Sequence, residues 1–265
     1  MSYPREFAFV TLTHPKPSLW VIEMHNEQDN RLTPELVNNG LKPALDAVEK
    51  HWREIWRVAR EQEEGRGAVI IVGRQDQDKF FSNGLDLDHV VQDPGFMPYT
   101  FNPLLARLLT FPLPIIAAIN GHCFAGGMML SLACDYRVMT DGTKRRAWMC
   151  MNEVHFGGAW PLSFTAILRA KVGHHQLQRK IALEGHRFTP QEALADGLLD
   201  HLVEGGTKEV LAKAEEIADS VCANSRSGVL GLIKRDLYRD TLEYIGLDLR
   251  VITPYAEDEV AKARL

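Results

Sequence analysis

Two apolar runs, residues 115–119 and 128–133, flank the segment Asn120-Gly121-His122-Cys123-Phe124-Ala125-Gly126-Gly127. This order constrains the fold more than any other feature of the chain: it reads as a buried strand, a tight turn and the N-terminus of a helix. Glycines at such a junction admit a close approach of backbone to a ligand. The first amides of a helix lack intrahelical acceptors, so their N–H groups can hold negative charge. Taken alone, Gly126 and Gly127 serve close packing equally well.

A second segment, Lys79-Phe80-Phe81-Ser82-Asn83-Gly84-Leu85-Asp86-Leu87, follows a strand predicted over 68–72 and again ends in a glycine turn where a helix can begin. Two such turns can aim two N–H groups at one oxygen. In order and spacing these segments resemble the crotonase superfamily of enoyl-CoA hydratases and isomerases. Further echoes are Arg31-Leu32-Thr33-Pro34-Glu35-Leu36, Ala133-Cys134-Asp135-Tyr136-Arg137 and the run from Phe188 to Asp200. The resemblance covers most of the chain. It implies an α/β fold, a crotonase-like spiral of ββα units with a C-terminal helical trimerisation region. It also implies an oxyanion hole for an acyl-CoA thioester.

With 265 residues, 45% hydrophobic and 25% charged, the chain can bury a large core. Residues 1–200 are expected to form the α/β core with the acyl-CoA site, and 201–265 a C-terminal helical region. A net charge of −5 with no long Lys/Arg block disfavours nucleic acid as a partner. Cys123, Cys134, Cys150 and Cys222 lack CxxC spacing and read as buried packing thiols of a reduced compartment. His174-His175 lacks metal-ligand spacing, so no metal is expected. Asn120, His122, Asp135 and Arg137 interrupt the apolar run 115–139, leaving no membrane span. No secretory signal is read at the N-terminus, and Glu6 is early for a mitochondrial presequence. Ala263-Arg264-Leu265 is a relaxed form of the Ser-Lys-Leu tripeptide, predicting a peroxisomal import receptor as partner and peroxisomal residence, with the cytoplasm as the alternative.

Residues 7–12 and 19–24 read as a hairpin around Pro15 and Pro17. A helix is predicted from Thr33 as N-cap with Pro34 at its first position, one face carrying Leu45, Val48, Trp52, Ile55, Trp56 and Ala59, with a kink or an interruption at Pro43. The charged residues 61–64 read as a solvated end before Gly65 and Gly67. Pro94, Gly95, Pro98 and Pro103 mark a loop walling an acyl pocket. Strand and helix then alternate to about Asp200 without a repeat period. From Thr207 a helical stripe carries Val210, Leu211, Ala214, Ile217, Ala218 and Val221, and another carries Val229, Leu232, Ile233 and Leu237, as core or subunit contacts.

Moving a proton next to a thioester needs a positioned base. By the resemblance, hydratases place two glutamates near the oxyanion hole. Here Met129 stands at the first position, where a thioether cannot take a proton, and Glu153 at the second. Dienoyl-CoA isomerases add an aspartate eight residues on, where this chain has Pro161. A single glutamate suits a double-bond shift, and the pattern is most similar to the peroxisomal Δ3,Δ2-enoyl-CoA isomerases of fungi and plants.

The resemblance thus implies Glu153 as catalytic base and acid and the N–H groups of Leu85 and Gly126 as the oxyanion hole, each contributing on the order of 3 kcal/mol. Phe124, Met129 and Trp160 are expected to line a dry pocket that raises the pKa of Glu153. Phe81, Ser82, Asn83 and Gly84 complete the substrate-binding set, with backbone carbonyls of the 80–85 loop accepting the adenine amino group. Asp86 and Asp135 are read as capping or internally bonded acids. No cofactor is expected beyond CoA as part of the substrate; the partners are an acyl-CoA and copies of the chain in a homotrimer or dimer of trimers. Two alternatives stay open: a hydratase or other crotonase reaction in secondary metabolism, and an inactive scaffold or RNA-binding trimer.

Overall fold

The computed structural model describes residues 2–58, 65–247 and 254–264. Its strands are β1 (Arg5–Phe7), β2 (Val10–Lys16), β3 (Leu19–Met24), β4 (Ala68–Val72), β5 (Phe80–Ser82), β6 (Ile115–Ile119), β7 (His122–Phe124), β8 (Tyr136–Thr140), β9 (Met149–Cys150) and β10 (His201–Val203). The α-helices are α1 (Lys42–Val58), α2 (Leu87–Gln92), α3 (Asn102–Leu109), α4 (Gly126–Ala133), α5 (Glu153–Phe156), α6 (Leu162–Lys171), α7 (His175–Ala182), α8 (Pro190–Ala195), α9 (Thr207–Val221), α10 (Leu230–Leu237), α11 (Arg239–Gly246) and α12 (Pro254–Lys262).

The described strands make a seven-stranded sheet, ordered β1-β2-β3-β4-β6-β8-β10, and a three-stranded sheet, β5-β7-β9. From β3 to β10 the large sheet is parallel, and β1-β2-β3 is antiparallel. The central strands AVIIV and IIAAI are buried throughout, because a parallel sheet covered on both faces selects continuous apolar runs. Alternate residues face opposite layers. Ala68, Ile70 and Val72 pack with Val210, Ala214 and Ile217 of α9, while Val69 and Ile71 join Leu45, Val48 and Trp52 of α1 in the main core. Truncating a core residue such as Ile71 to Ala costs about 2–5 kcal/mol.

The N-terminal hairpin differs from its predicted form. Leu19–Met24 is a strand as expected, but the first arm is split, because Phe9 takes a positive φ of 55° between β1 and β2. Pro15 lies inside β2, where the register shifts between Thr13 and Lys16, and the turn is Pro17-Ser18.

Thr33 caps the long helix as predicted, its hydroxyl accepting from the Leu36 N–H at 3.2 Å. A π-helical turn, Leu36–Leu41, precedes α1. Pro43 cannot donate to the Asn39 carbonyl, and Ala8 N–H occupies that acceptor at 3.2 Å. The local consequence of the proline is thus a widened turn within a continuous helical segment. Leu45, Val48 and Trp52 are buried, Ile55 and Trp56 partly so. Ala59 and residues 61–64 lie outside the described residues, whereas Gly65 is buried and accepts from the Trp52 indole at 3.0 Å.

The loop expected around Pro94 to Pro103 is instead helical: α2, a π-helical segment (Phe96–Phe101) and α3. Pro98 sits in a first turn, where the missing N–H has no intrahelical acceptor to lose; Pro103 follows the π-helical segment as Pro43 does, and Lys42 Nζ donates to the Tyr99 carbonyl that it leaves free, at 3.4 Å. Asp135 is internally bonded, accepting from Ile115 N–H at 2.8 Å and Lys234 Nζ at 2.5 Å. Asp86 occupies the N-cap of α2 but bonds His89 at 2.7 Å and not a helix amide. All four cysteines are buried and free; burial pushes the thiols of Cys123 and Cys134 up to about 12. Among the described residues no helix is long and apolar enough to cross a membrane.

Candidate active site

The small sheet brings the two glycine turns together. Phe80 pairs with His122 and Phe124 with Cys150, so the chain leaves β5 and β7 side by side. The turns then touch. A Cβ on Gly84 would lie 2.7 Å from the Ala125 Cβ and 3.2 Å from the Gly126 nitrogen, and one on Gly126 would meet the Leu85 side chain at 2.7 Å. Gly84 also has φ +90°, which only glycine adopts without strain.

Residues 29–32 splint the first turn. Asn30 Nδ2 donates to the Phe81 carbonyl (3.2 Å), Ser82 Oγ to the Asn30 carbonyl (2.8 Å) and Arg31 Nη1 to the Leu85 carbonyl (3.3 Å). Asp29 accepts from Arg31 Nε (3.1 Å) and from Asn83 Nδ2 (2.8 Å). Most consequential is Leu32 N–H donating to the Gly84 carbonyl at 2.8 Å. In a trans peptide the C=O and the next N–H point in opposite directions, so fixing the Gly84 oxygen fixes the Leu85 N–H facing away from it. Among the described residues that amide donates to no backbone carbonyl.

The second turn is anchored the same way. Ala125 N–H donates to Cys150 O (2.7 Å), and Ala125 O accepts from Met128 N–H (2.9 Å) and Met129 N–H (3.2 Å), which fixes the peptide carrying the Gly126 N–H. Gly126 opens α4, so its amide has no intrahelical acceptor. Ala125 holds φ 52°, ψ −125°, a conformation costing about 1–3 kcal/mol in a residue with a Cβ. Gly127 packs on Ser82, to within 2.7 Å of the Ser82 oxygen for an added Cβ. One glycine therefore presents an amide and its neighbour permits the packing.

Glu153 opens α5, which ends after four residues at Gly157 in the left-handed region. It is 7% exposed, and its Oε2 is buried without a hydrogen-bond partner. Burial raises its pKa; its own backbone N–H and the Trp160 side chain oppose that shift.

Leu85, Ala125 and Glu153 line one cavity of about 340 Å³, together with Arg31, Asn83, Leu87, Val90, Met97, Phe124, Asn152, Phe156, Gly158, Ala159, Pro161 and Phe164. Among the described residues Glu153 is its one carboxylate and Arg31 its one cation. Of the expected substrate-binding set, Asn83 and Phe124 lie on this wall, and Gly84 lies directly behind it. Phe81, Ser82 and Met129 do not: all three are fully buried, the first two holding the turn and Met129 packed in the core within α4. Of the 80–85 carbonyls expected to face adenine, those of Phe81, Gly84 and Leu85 accept from residues 30–32. Trp160 lines a neighbouring recess and not this cavity, and its side chain acts on the Glu153 carboxyl only by opposing the rise of its pKa. His122 stacks on Phe124 (5.0 Å) and Trp148 (5.1 Å), outside the cavity wall.

The family model described as enoyl-CoA hydratase/isomerase matches residues 17–244. The chain belongs to the enoyl-CoA hydratase/isomerase family. It is 34% identical over 197 residues to an Arabidopsis thaliana protein named peroxisomal enoyl-CoA delta isomerase 2, covering 70% of this chain and 80% of that one. It is 30% identical over 238 residues to Arabidopsis enoyl-CoA delta isomerase 3, covering 86% and 92%. Among solved structures, an enoyl-CoA hydratase from Mycobacterium marinum superposes with a TM-score of 0.71 at 25% identity, covering 89% of this chain and 94% of that one. Human mitochondrial delta3-delta2-enoyl-CoA isomerase does so with a TM-score of 0.61 at 22% identity, covering 97% and 96%, a likeness of fold. The fold is that of the crotonases.

In this hydratase/isomerase family member, sequence reasoning missed several wall residues. Val90, Met97 and Phe164 come from helices whose packing direction no local pattern gives. Arg31 stood in a quoted motif, but its reach to Leu85 needs the pairing of residues 29–32 with 81–85. Ala125 carried no signal, since alanine does not announce a positive φ.

Proposed function

We propose that the protein isomerises 3-enoyl-CoA thioesters to trans-2-enoyl-CoA, with Glu153 as the proton carrier. The observation that carries this is the lone carboxylate: among the described residues Glu153 is the one acid on a cavity wall that also holds Leu85 and Ala125, the residue that leads into Gly126. In the proposed cycle the thioester oxygen accepts hydrogen bonds from Leu85 N–H and Gly126 N–H. Glu153 removes a proton from C2, and the bonding electrons pass into a dienolate whose oxygen the amides stabilise. The carboxyl then returns the proton to C4, leaving the double bond between C2 and C3. Atoms and charge balance without oxidation, so CoA enters only as part of the substrate. The raised pKa of Glu153 narrows its gap to a carbon acid and favours proton transfer near neutral pH.

Met129 and Pro161, where hydratases and dienoyl-CoA isomerases of the resemblance carry second acids, weigh against activating water. Fatty-acid β-oxidation is the matching role. Peroxisomal residence is supported by the printed names of the Arabidopsis relatives and by Ala263-Arg264-Leu265; Ala263 and Arg264 are exposed, and Leu265 lies outside the described residues. Trimeric assembly is supported by α10, whose Leu232 and Ile233 are each 58% exposed and whose neighbours Val229 and Leu237 are exposed as well. Conversion of trans-3-hexenoyl-CoA, followed beside crotonyl-CoA hydration, tests the proposal. Isomerisation should dominate; dominant hydration overturns it.

A further inference from the structure

Beside the Glu153 cavity lies a second recess of about 510 Å³, walled by Val154, Trp160, Leu168, Ala182 and Leu183, with Arg169, His175 and Arg179 among its polar groups. Residues 157–160 are the partition. Gly158 lines both spaces, Ala159 only the first and Trp160 only the second. Gly157, Gly158 and Ala159 bring almost no side-chain bulk, so within the partition the Trp160 indole is the one large side chain. Its ring stands T-shaped to Phe164 of the first cavity, with centroids 6.1 Å apart. A Cβ at Gly158 would come within 2.8 Å of the Phe156 ring, which would have to shift, and 3.2 Å of the Glu153 Cβ.

We infer that the tail of a long-chain acyl group passes Gly158 and Trp160 into this recess, making Trp160 the residue that sets acyl length; this rests on the acyl-CoA reading of the Glu153 cavity. At about 340 Å³ that cavity is at the small end of ligand pockets, which span roughly 300–1,000 Å³. It must already hold the thioester and the reacting carbons. A chain extending beyond C4 needs a continuation with apolar walls, and the recess, which adjoins the cavity across Gly158, offers Val154, Trp160, Leu168, Ala182 and Leu183. Val154, next to Glu153 in the chain, is one of its walls.

Titration with the unreactive saturated thioesters butyryl-CoA and dodecanoyl-CoA reads the recess without the reaction. The wild type should bind dodecanoyl-CoA at least tenfold more tightly. Leu183→Glu places a charge at a position already 70% exposed, where the fold tolerates it. It should cut that ratio about tenfold, and Trp160→Phe should keep it closer to wild type than Trp160→Ala. Equal affinities in the wild type overturn the inference. So does a ratio indifferent to Leu183→Glu, including the case where light scattering shows a changed oligomer and marks the recess as a subunit contact. Failure to bind either thioester overturns the acyl-CoA reading and this inference with it. A chain-length ratio that holds in a protein unable to isomerise overturns only the proposed reaction.

Discussion

Residues 81–85 and 124–127 form a wall of backbone in which successive peptides are tied down by residues 29–32, by Cys150 and by the first turn of α4. Glu153 stands on a four-residue helix between Asn152, which makes no side-chain cap bond, and Gly157, with one carboxylate oxygen unpartnered. The backbone wall is rigid through hydrogen bonds, and the acid is defined by burial. Donors that stabilise developing charge act best when fixed in advance. A base that collects a proton at C2 and delivers it at C4 must serve two positions, which an untied carboxylate oxygen allows.

The sharpest break of this contrast is Glu153→Gln. It should lower isomerisation by about 10²–10⁴-fold while acyl-CoA affinity, measured calorimetrically, stays near wild type. A smaller effect is expected at the backbone wall. Gly126→Ala pushes a Cβ into Leu85 and Gly84→Ala adds strain at φ +90°, so either should cost roughly 10²-fold in kcat by misaiming one donor, visible in steady-state kinetics. Arg31→Met removes the donor to the Leu85 carbonyl but leaves the Leu32 to Gly84 bond. A loss of about tenfold in kcat, partly restored by Arg31→Lys, is expected from one weakened hydrogen bond of about 1–2 kcal/mol.

The smallest effect is on stability, and its sign follows from burial. Because the folded state raises the Glu153 pKa, it binds that proton more tightly than the unfolded chain does, and stability falls as pH rises through the folded value. Glu153→Gln should therefore melt higher than wild type at pH 7, with the difference closing as pH falls below the ordinary carboxylate range. In the wild type, activity should rise with pH along the limb where Glu153 loses its proton.

These two regions were also unequally legible in the sequence. Glycine turns after apolar strands mark themselves, and β4 and β6 lie where residues 68–72 and 115–119 suggested, with α4 opening at Gly126, just before the run 128–133. What stayed hidden was the short strand His122–Phe124, read as part of a turn, although its pairing with Phe80–Ser82 is what sets the turns side by side. Strands of two or three residues carry no periodicity to detect. The helices over residues 87–92 and 96–109 were masked by Pro94, Pro98 and Pro103, since a proline looks locally like a breaker even where a helical segment accommodates it. Phe81, Ser82 and Met129 were expected at the ligand because they flank the motif; whether a side chain faces cavity or core depends on packing partners distant in sequence. Glu153 was singled out only by resemblance, as its own segment holds no pattern that separates it from a surface acid.

The most direct test of a single shuttling carboxylate is the fate of the C2 hydrogen. With 3-hexenoyl-CoA deuterated at C2, mass analysis of the product early in the reaction should find part of the label at C4 in the wild type, with turnover collapsing in Glu153→Gln. Label retention at C4 that persists without Glu153, or a product carrying a hydroxyl at C3, would contradict the account.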